Sequence, residues 1–391
     1  MSPPCEDFLT ADRLLEPESF YPLDVWICRE CLLVQLPAYV SPEAIFSEYA
    51  YFSSFSTSWV EHARRYVDDM VERFAIGPSS RVVEIASNDG YLLQHVVARG
   101  IPALGVEPAR NIAEAARAKG IESIDAFFGE RLAAQLVAER GPADLLVANN
   151  VFAHIPDLAD FTAGLRTLLA PNGVLTIEVA HVMRLIEGNQ FDTIYHEHFM
   201  YWSLHSAERA LERHGLRVFD VEELETHGGS LRFYVSHSGA ARPITDRVAR
   251  LREREHAGGY GSVDGYAGFA ARVDATKRQL LRFLVDARDR GMSIAGYGAP
   301  GKANTLLNYC GIRTDLVDYL VDLNPYKHGR YTPGTRIPIH PPDQIEATRP
   351  DYILILPWNL RREIEEQLRP VCREIGARLV VAIPELEIIE P

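Results

Sequence analysis

From Ser80 onward the chain alternates short apolar runs with glycine-bearing turns and amphipathic stretches. The segment RVVEIASNDGYLLQHVVARG predicts a buried strand through Ile85, a tight turn at Asn88, Asp89 and Gly90, and a helix ending at Gly100. ALGVEP predicts a second strand ending in Glu107. DLLVANNV predicts another strand, LADFTAGLRTLLA a helix, Pro171-Asn172-Gly173 a turn and VLTIEVAH a further strand. Strands alternating with helices imply an α/β fold, a parallel doubly wound sheet with its ligand at the carboxyl ends of the strands. A second β-Gly-α unit, SIAGYGAPGKANTLLN followed by DYLVD, predicts another Rossmann-like lobe toward the C-terminus.

The flanking regions follow other patterns. YPLDVWICRECLLVQL places Cys28 and Cys31 between two strand-like runs, which is half of a zinc knuckle. A tetrahedral site needs four ligands; only Cys5 precedes the pair and the first histidine is His62, so a small β-structure held by packing is the expectation. From Ser41 to about Phe74 the pattern is helical, starting with Ser41 as N-cap and Pro42 at the first helical position, and Tyr49, Tyr51, Phe52 and Phe55 form an aromatic cluster. In THGGSLRFYVS, Thr226 to Ser230 brings backbone amides toward a ligand or forms a bulge. GGYGSVDGYAG, between two helical stretches, reads as a hinge, and the charged run DRVARLRERE before it as a solvated helix face. The expected organisation is an N-terminal region over 1–70, a middle domain over 71–240 and a C-terminal domain over 241–391.

Composition narrows the function. The chain has 391 residues, 47% hydrophobic and 24% charged, and a formal charge of -14. That balance, without a Lys/Arg run, argues against nucleic acid as a partner. No apolar run approaches the length of a membrane span, MSPPCEDF lacks the regions of a signal peptide, and five cysteines suit a reducing compartment, so a cytoplasmic enzyme is expected.

The densest chemistry lies in FDTIYHEHFMYWSL, where Tyr195, His196, Glu197, His198 and Tyr201 fall within seven residues. A histidine near its neutral pKa with a partner to hold its tautomer is what a general base needs. Hydrogen-bonded interface histidines are the competing reading, and metal ligation ranks last because no further cluster completes a site.

The first glycine loop has only Gly90, yet Glu84-Ile85-Ala86-Ser87-Asn88-Asp89-Gly90 resembles the first motif of class I S-adenosylmethionine (SAM) methyltransferases, with Ala86 where the first glycine usually stands. An acid ending the second strand, here Glu107, suits the two hydroxyls of a ribose. Six ordered blocks narrow the resemblance: YPLDVWICRECLLVQL, EIASNDGYLL, AHIPD, IEGNQFDTIYHEHF, HGGSLRFYV and GYGAPGKANTLLN are similar to bacterial nucleotide-sugar C-methyltransferases that act at C3 of 4-keto deoxysugars in antibiotic sugar pathways. The similarity covers nearly the whole chain. It implies a class I methyltransferase domain, a degenerate zinc-ribbon-like N-terminal region and a Rossmann-like C-terminal lobe that grips a nucleotide-linked ketosugar. The family usually carries an additional CxxC that completes a zinc site; here only Cys28 and Cys31 are evident.

The resemblance maps Glu84, Ala86, Asn88, Gly90, Tyr91, Glu107, Ala126, Phe127 and Asn149 to the cofactor, with Ala126 and Phe127 as an adenine wall. It maps His227, Gly228, Tyr297, Lys302 and Asn304 to the substrate. His198 is the expected base, oriented by Glu197, with Tyr195 and His154 near the keto oxygen or a second proton transfer. His181 and His196 are expected to be structural. The principal rival rests on Gly296, Gly298 and Gly301, a full G-x-G-x-x-G with Asp322 ending the next strand 21 residues after Gly301. By spacing it is the better dinucleotide fingerprint, and would serve an NAD-dependent sugar-nucleotide oxidoreductase. A non-catalytic nucleotide-sugar sensor is a third reading. A monomer is expected, since three lobes can close a cleft without a partner.

Overall fold

The structure, a computed structural model, describes residues 1–46 and 52–390. The predicted aromatic residues Tyr49 and Tyr51 lie outside the described residues, as does the first part of the join between the two helices of that region, Pro42–Phe46 and Thr57–Phe74; its second part holds the 3-10 turn Ser53–Phe55.

In chain order, β1 (Trp26–Ile27) and β2 (Val34–Gln35) pair antiparallel around the Cys28–Cys31 turn. The turn closes through Leu32 N donating to the Cys28 carbonyl and Cys28 N donating to the Leu33 carbonyl, both at 3.0 Å. The helix Thr57–Phe74 starts at Ser56, whose hydroxyl accepts from Trp59 N, and buries Ala63, Tyr66, Val67 and Met70 on one stripe.

The middle sheet comprises β3 (Val82–Ile85), β4 (Ala103–Val106), β5 (Ser123–Ile124), β6 (Ala143–Asn149) and β7 (Leu169–Ala180). The strand β8 (Met200–Tyr201) leaves that sheet and pairs with β2. Two more strands, β9 (Leu216–Leu224) and β10 (Ser230–His237), complete the middle sheet in the order β5-β4-β3-β6-β7-β10-β9. The chain reverses direction about β3, and the cleft opens at the carboxyl ends of β3 and β6, the switch point of a doubly wound sheet.

The doubly wound sheet expected from the pattern is present, with one strand reversed: β10 runs antiparallel to both β7 and β9. Two antiparallel neighbours joined by a short turn need no crossover helix, so alternation with helices stops at β9, which the helix Leu204–Glu212 precedes. Pro171, Asn172 and Gly173 are also not a turn between elements. They bulge out within β7, where the register against β6 jumps from Ala143↔Leu169 to Leu145↔Val174.

The C-terminal sheet holds β11 (Ile294–Tyr297), β12 (Tyr319–Val321), β13 (Ile339–His340), β14 (Tyr352–Ile355), β15 (Arg378–Val381) and β16 (Glu387–Ile389), ordered β13-β12-β11-β14-β15-β16, with only β16 antiparallel. Its core includes Phe8 and Phe191 from far earlier in the chain. The helix Asp246–Ala257 is not merely a solvated face. Glu255 is buried and accepts from His181 Nε2 at 2.8 Å and from the amides of Leu204 and His205. This bond gives His181 its structural role.

Candidate active site

The first glycine loop keeps the backbone of a glycine-rich turn without the glycines. Ala86 and Asn88 both sit in the left-handed region, at φ 56° and 48°, and Gly90 follows at φ 77°. For a β-carbon residue that conformation costs roughly 1–2 kcal/mol, so the surroundings must hold it. They do so through Glu107, which accepts Asn88 N at 3.0 Å and Ala109 N at 2.9 Å. Asn88 Oδ1 in turn accepts Ser53 N at 2.9 Å. Burial pushes the Glu107 carboxyl up against the pull of these amides. Burial, with the charge of Glu107, raises Glu84 well above the carboxylate range, opposed by the adjoining Tyr91 hydroxyl. Asn149 ends β6 with a buried Oδ1 that has no hydrogen-bond partner among the described residues. Ala126 and Phe127 follow β5, and Phe127 is exposed.

The YHEH segment reaches the same cleft. β8 is pinned to β2, and Phe199 N donates to the Ala153 carbonyl at 2.8 Å, which brings the loop after β6 beside it. His198 Nδ1 lies 2.9 Å from the Thr193 carbonyl and His154 Nδ1 lies 2.7 Å from the Glu197 carbonyl. A carbonyl only accepts, so both Nδ1 atoms carry the proton and both Nε2 atoms present a lone pair. The rings are 4.8 Å apart, and Tyr195 packs 4.1 Å from His198. Burial lowers His154 to about 4. Burial, then the neighbouring His154, lower His198 well below the usual imidazole value, against the Thr193 carbonyl. Burial and the negative groups nearby raise Tyr195 well above an ordinary phenol, so it stays protonated.

The geometry bears on several expected roles. Glu197 Oε1 accepts from the Cys5 thiol at 3.5 Å, and the Thr193 carbonyl is the group that meets His198 Nδ1. The Tyr297 ring packs in the C-terminal core and its hydroxyl donates to the exposed Gln367 at 3.0 Å. Asn304 Nδ2 donates to the Cys5 carbonyl at 2.5 Å, so it anchors the N-terminal segment. The geometry keeps the other assignments together. Lys302 reaches Asn359 Oδ1 at 2.7 Å with its ammonium over the Trp358 ring, and burial lowers its pKa against the pull of Asp192. His227, at φ 54°, is open to the cleft mouth and is lowered to about 4, first by the surrounding protein and then by Lys302. Gly228 could carry no side chain, since a Cβ would stand 2.5 Å from Trp358 Cη2. His196 donates from Nε2 to the Pro22 carbonyl at 3.1 Å, a structural bond.

The sequence reading missed a buried network beside the loop. Glu178 accepts from His62 Nε2 at 3.1 Å, Arg232 at 2.7 Å and Thr226 at 3.1 Å. Burial works to raise this carboxyl, yet His62 and Arg232 hold it down at about 2. Trp59 stacks on His62 at 4.9 Å and faces Tyr91 and His227. The available signal was Trp59 and His62 three residues apart at the start of an amphipathic helix.

Left-handed backbone, an acid holding the loop, an unpaired buried amide oxygen and proton-poor histidines define an α/β methyltransferase site. Comparison with known proteins agrees. Residues 59–221 match the family described as "Methyltransferase domain", 225–384 the "C-methyltransferase C-terminal domain" and 1–46 a "Putative zinc binding domain". The chain is 37% identical over 372 residues to the C-methyltransferase NovU of Streptomyces niveus, covering 95% of this chain and 88% of that one. The chain belongs to this C-methyltransferase family, and its methyl donor is SAM. Among solved structures, a SAM-dependent methyltransferase of Clostridium acetobutylicum ATCC 824 is 10% identical with a TM-score of 0.37, over 46% of this chain and 92% of that one. A likeness at that level decides nothing about chemistry.

The residues present fit SAM: the left-handed loop stands beside Glu107, and Asn149 turns into the site a buried Oδ1 with no hydrogen-bond partner among the described residues. They do not fit zinc. Among the described residues no group of three or more His, Cys, Asp or Glu could hold a metal, and Cys5 points to Glu197 rather than to Cys28 and Cys31. Nor is any helix among the described residues long and apolar enough to cross a membrane.

Proposed function

We propose that this chain methylates carbon C3 of a nucleotide-linked 4-keto deoxysugar, with dTDP as the nucleotide, in deoxysugar assembly for an antibiotic. The observation that carries the reading is the paired tautomers of His198 and His154, both offering Nε2 lone pairs beside a protonated Tyr195.

A carbon becomes nucleophilic when a base removes a proton next to a ketone, and the charge then rests on the ketone oxygen as an enolate. His198 Nε2 takes the C3 proton; burial keeps it neutral and so able to accept. The Tyr195 hydroxyl donates to the enolate oxygen at C4. His154, whose Nδ1 proton is held by the Glu197 carbonyl, presents its Nε2 lone pair beside His198 and so can take on the proton removed from C3, the only one the reaction releases. SAM, when bound, presents an electrophilic sulfonium methyl to this carbon. Glu107 takes the ribose hydroxyls while holding the loop, and Lys302 with His227 meets the charged nucleotide. The second glycine loop supports no dinucleotide, because Cys5 and Glu6 lie on it: a Cβ at Gly301 would stand 2.9 Å from Cys5 Sγ and 3.1 Å from Glu6 Oε1.

The test is incubation with a dTDP-4-keto-6-deoxysugar in heavy water, with and without SAM. The expected result is deuterium at C3 without SAM and a carbon-bound methyl with it, read by NMR and mass spectrometry. A methyl found on oxygen or nitrogen, or turnover of NAD instead, would refute the reading.

A further inference from the structure

Five consecutive residues, Asn189 to Thr193, join the middle sheet to the C-terminal lobe. Asn189 Nδ2 donates to Thr276 Oγ1 at 2.7 Å and Gln190 Nε2 to the Gly228 carbonyl at 2.7 Å. Phe191 inserts into the C-terminal core and meets the Tyr309 ring at 5.4 Å. Asp192, fully buried, accepts from Trp358 Nε1 at 2.8 Å and faces the Lys302 ammonium. Thr193, the next residue of the same 3-10 turn (Phe191–Thr193), provides the carbonyl that holds His198.

A buried carboxylate is costly unless it is paired, and here, beside the amides of its own turn, its cation and its side-chain donor both belong to the other lobe. We propose that Asp192 is a positioning residue for methyl transfer, latching the C-terminal lobe through Trp358 and Lys302 to the turn whose Thr193 carbonyl fixes the His198 tautomer. When the lobe is seated, the base is aimed; when the latch is removed, the Thr193 carbonyl drifts and Nδ1 and Nε2 exchange roles. Burial raises the Asp192 carboxyl to about 7 against the pull of Lys302, so its charge depends on that ammonium remaining in place. A displacement of the base by about 1 Å is enough to cost on the order of a hundredfold in rate.

The inference rests on the proposed role of His198, so its test has one readout that needs no turnover. In protein with 15N-labelled histidine, the His198 imidazole should report the Nδ1–H tautomer in the unaltered chain and a mixture in Asp192→Ala. Asp192→Asn, which keeps an acceptor for Trp358, should retain most of the Nδ1–H form. In turnover, Asp192→Ala should lower kcat about tenfold to a hundredfold with S-adenosylhomocysteine affinity unchanged, and Trp358→Phe should act in the same direction. The double variant should be no worse than Asp192→Ala alone, because both remove one contact. An unchanged tautomer in Asp192→Ala, or effects of the two variants that multiply, would overturn the latch. A changed tautomer in a chain that never methylates the ketosugar would uphold the latch and refute the reaction.

Discussion

Two loops in this molecule share a backbone plan and differ in what covers them. In the middle sheet, Glu107 accepts amides on either side, from Asn88 and Ala109. In the C-terminal sheet, Asp322 does the same, accepting Ala299 N at 2.7 Å and Asn324 N at 2.8 Å. Each acid follows the second strand of a sheet whose first strands order alike. The first loop faces Trp59, Tyr91 and the histidines of the cleft. The second is covered by the chain itself, with Lys327 Nζ 3.8 Å from Glu6 and the Glu6 carboxyl drawing on the Gly301 amide. A glycine fingerprint therefore reports the shape of a turn and not its occupant. Here the loop with the poorer fingerprint faces the cleft.

The sharpest way to break this contrast is at the base. His198→Ala should cut methyl transfer by about 10²–10⁴-fold with S-adenosylhomocysteine affinity unchanged by titration calorimetry. A loss of affinity of the same size would mean that His198 supports the fold of the cleft. The pH profile adds a signed check. In the proposed role His198 acts as the neutral base, and burial lowers its pKa, so activity should persist as pH falls through 6.5 and fail only below it. An acid limb above the free imidazole value would contradict the burial.

The two acids come next. Glu107→Ala should weaken S-adenosylhomocysteine binding roughly 10- to 100-fold, as expected for lost charged hydrogen bonds worth about 1.5–3 kcal/mol. Asp322→Ala should leave that affinity alone and lower thermal stability. Equal losses of affinity would erase the distinction between the loops. Smaller still are the loop substitutions, read by denaturant unfolding. Gly301→Ala, crowding Cys5 and Glu6, should cost about 1–3 kcal/mol. Ala86→Gly, which relieves a left-handed β-carbon, should be neutral or stabilising by up to about 1 kcal/mol.

Much of the fold was legible because apolar runs and turn residues are local signals. The strands through β7 and the second Rossmann-like unit could be read from period and punctuation. The antiparallel pair β9 and β10 could not, since direction is decided by which edge remains open and not by the run itself. In the site, the residue types of YHEH announced proton chemistry, but their orientation came from backbone carbonyls that carry no sequence signature. Glu197 was assigned to His198 by adjacency, whereas Cys5, 192 residues earlier, meets it in space. The Glu178 network with His62 and Arg232 was invisible for the same reason.

The first residues lie along the last lobe: Leu9 exchanges backbone bonds with Tyr331, Glu18 accepts from Gly334 N and Arg336, and Asn304 holds the Cys5 carbonyl. On the ribosome, Cys5 leaves the tunnel 299 residues ahead of Asn304. At about 5–20 residues per second it therefore waits roughly 15–60 s for its partner. Until then the thiol, Glu6 and the apolar side of Phe8 have no lobe to rest on, and the nascent chain has to be kept from other contacts. The cleft is thus completed only after the C-terminal sheet has been made.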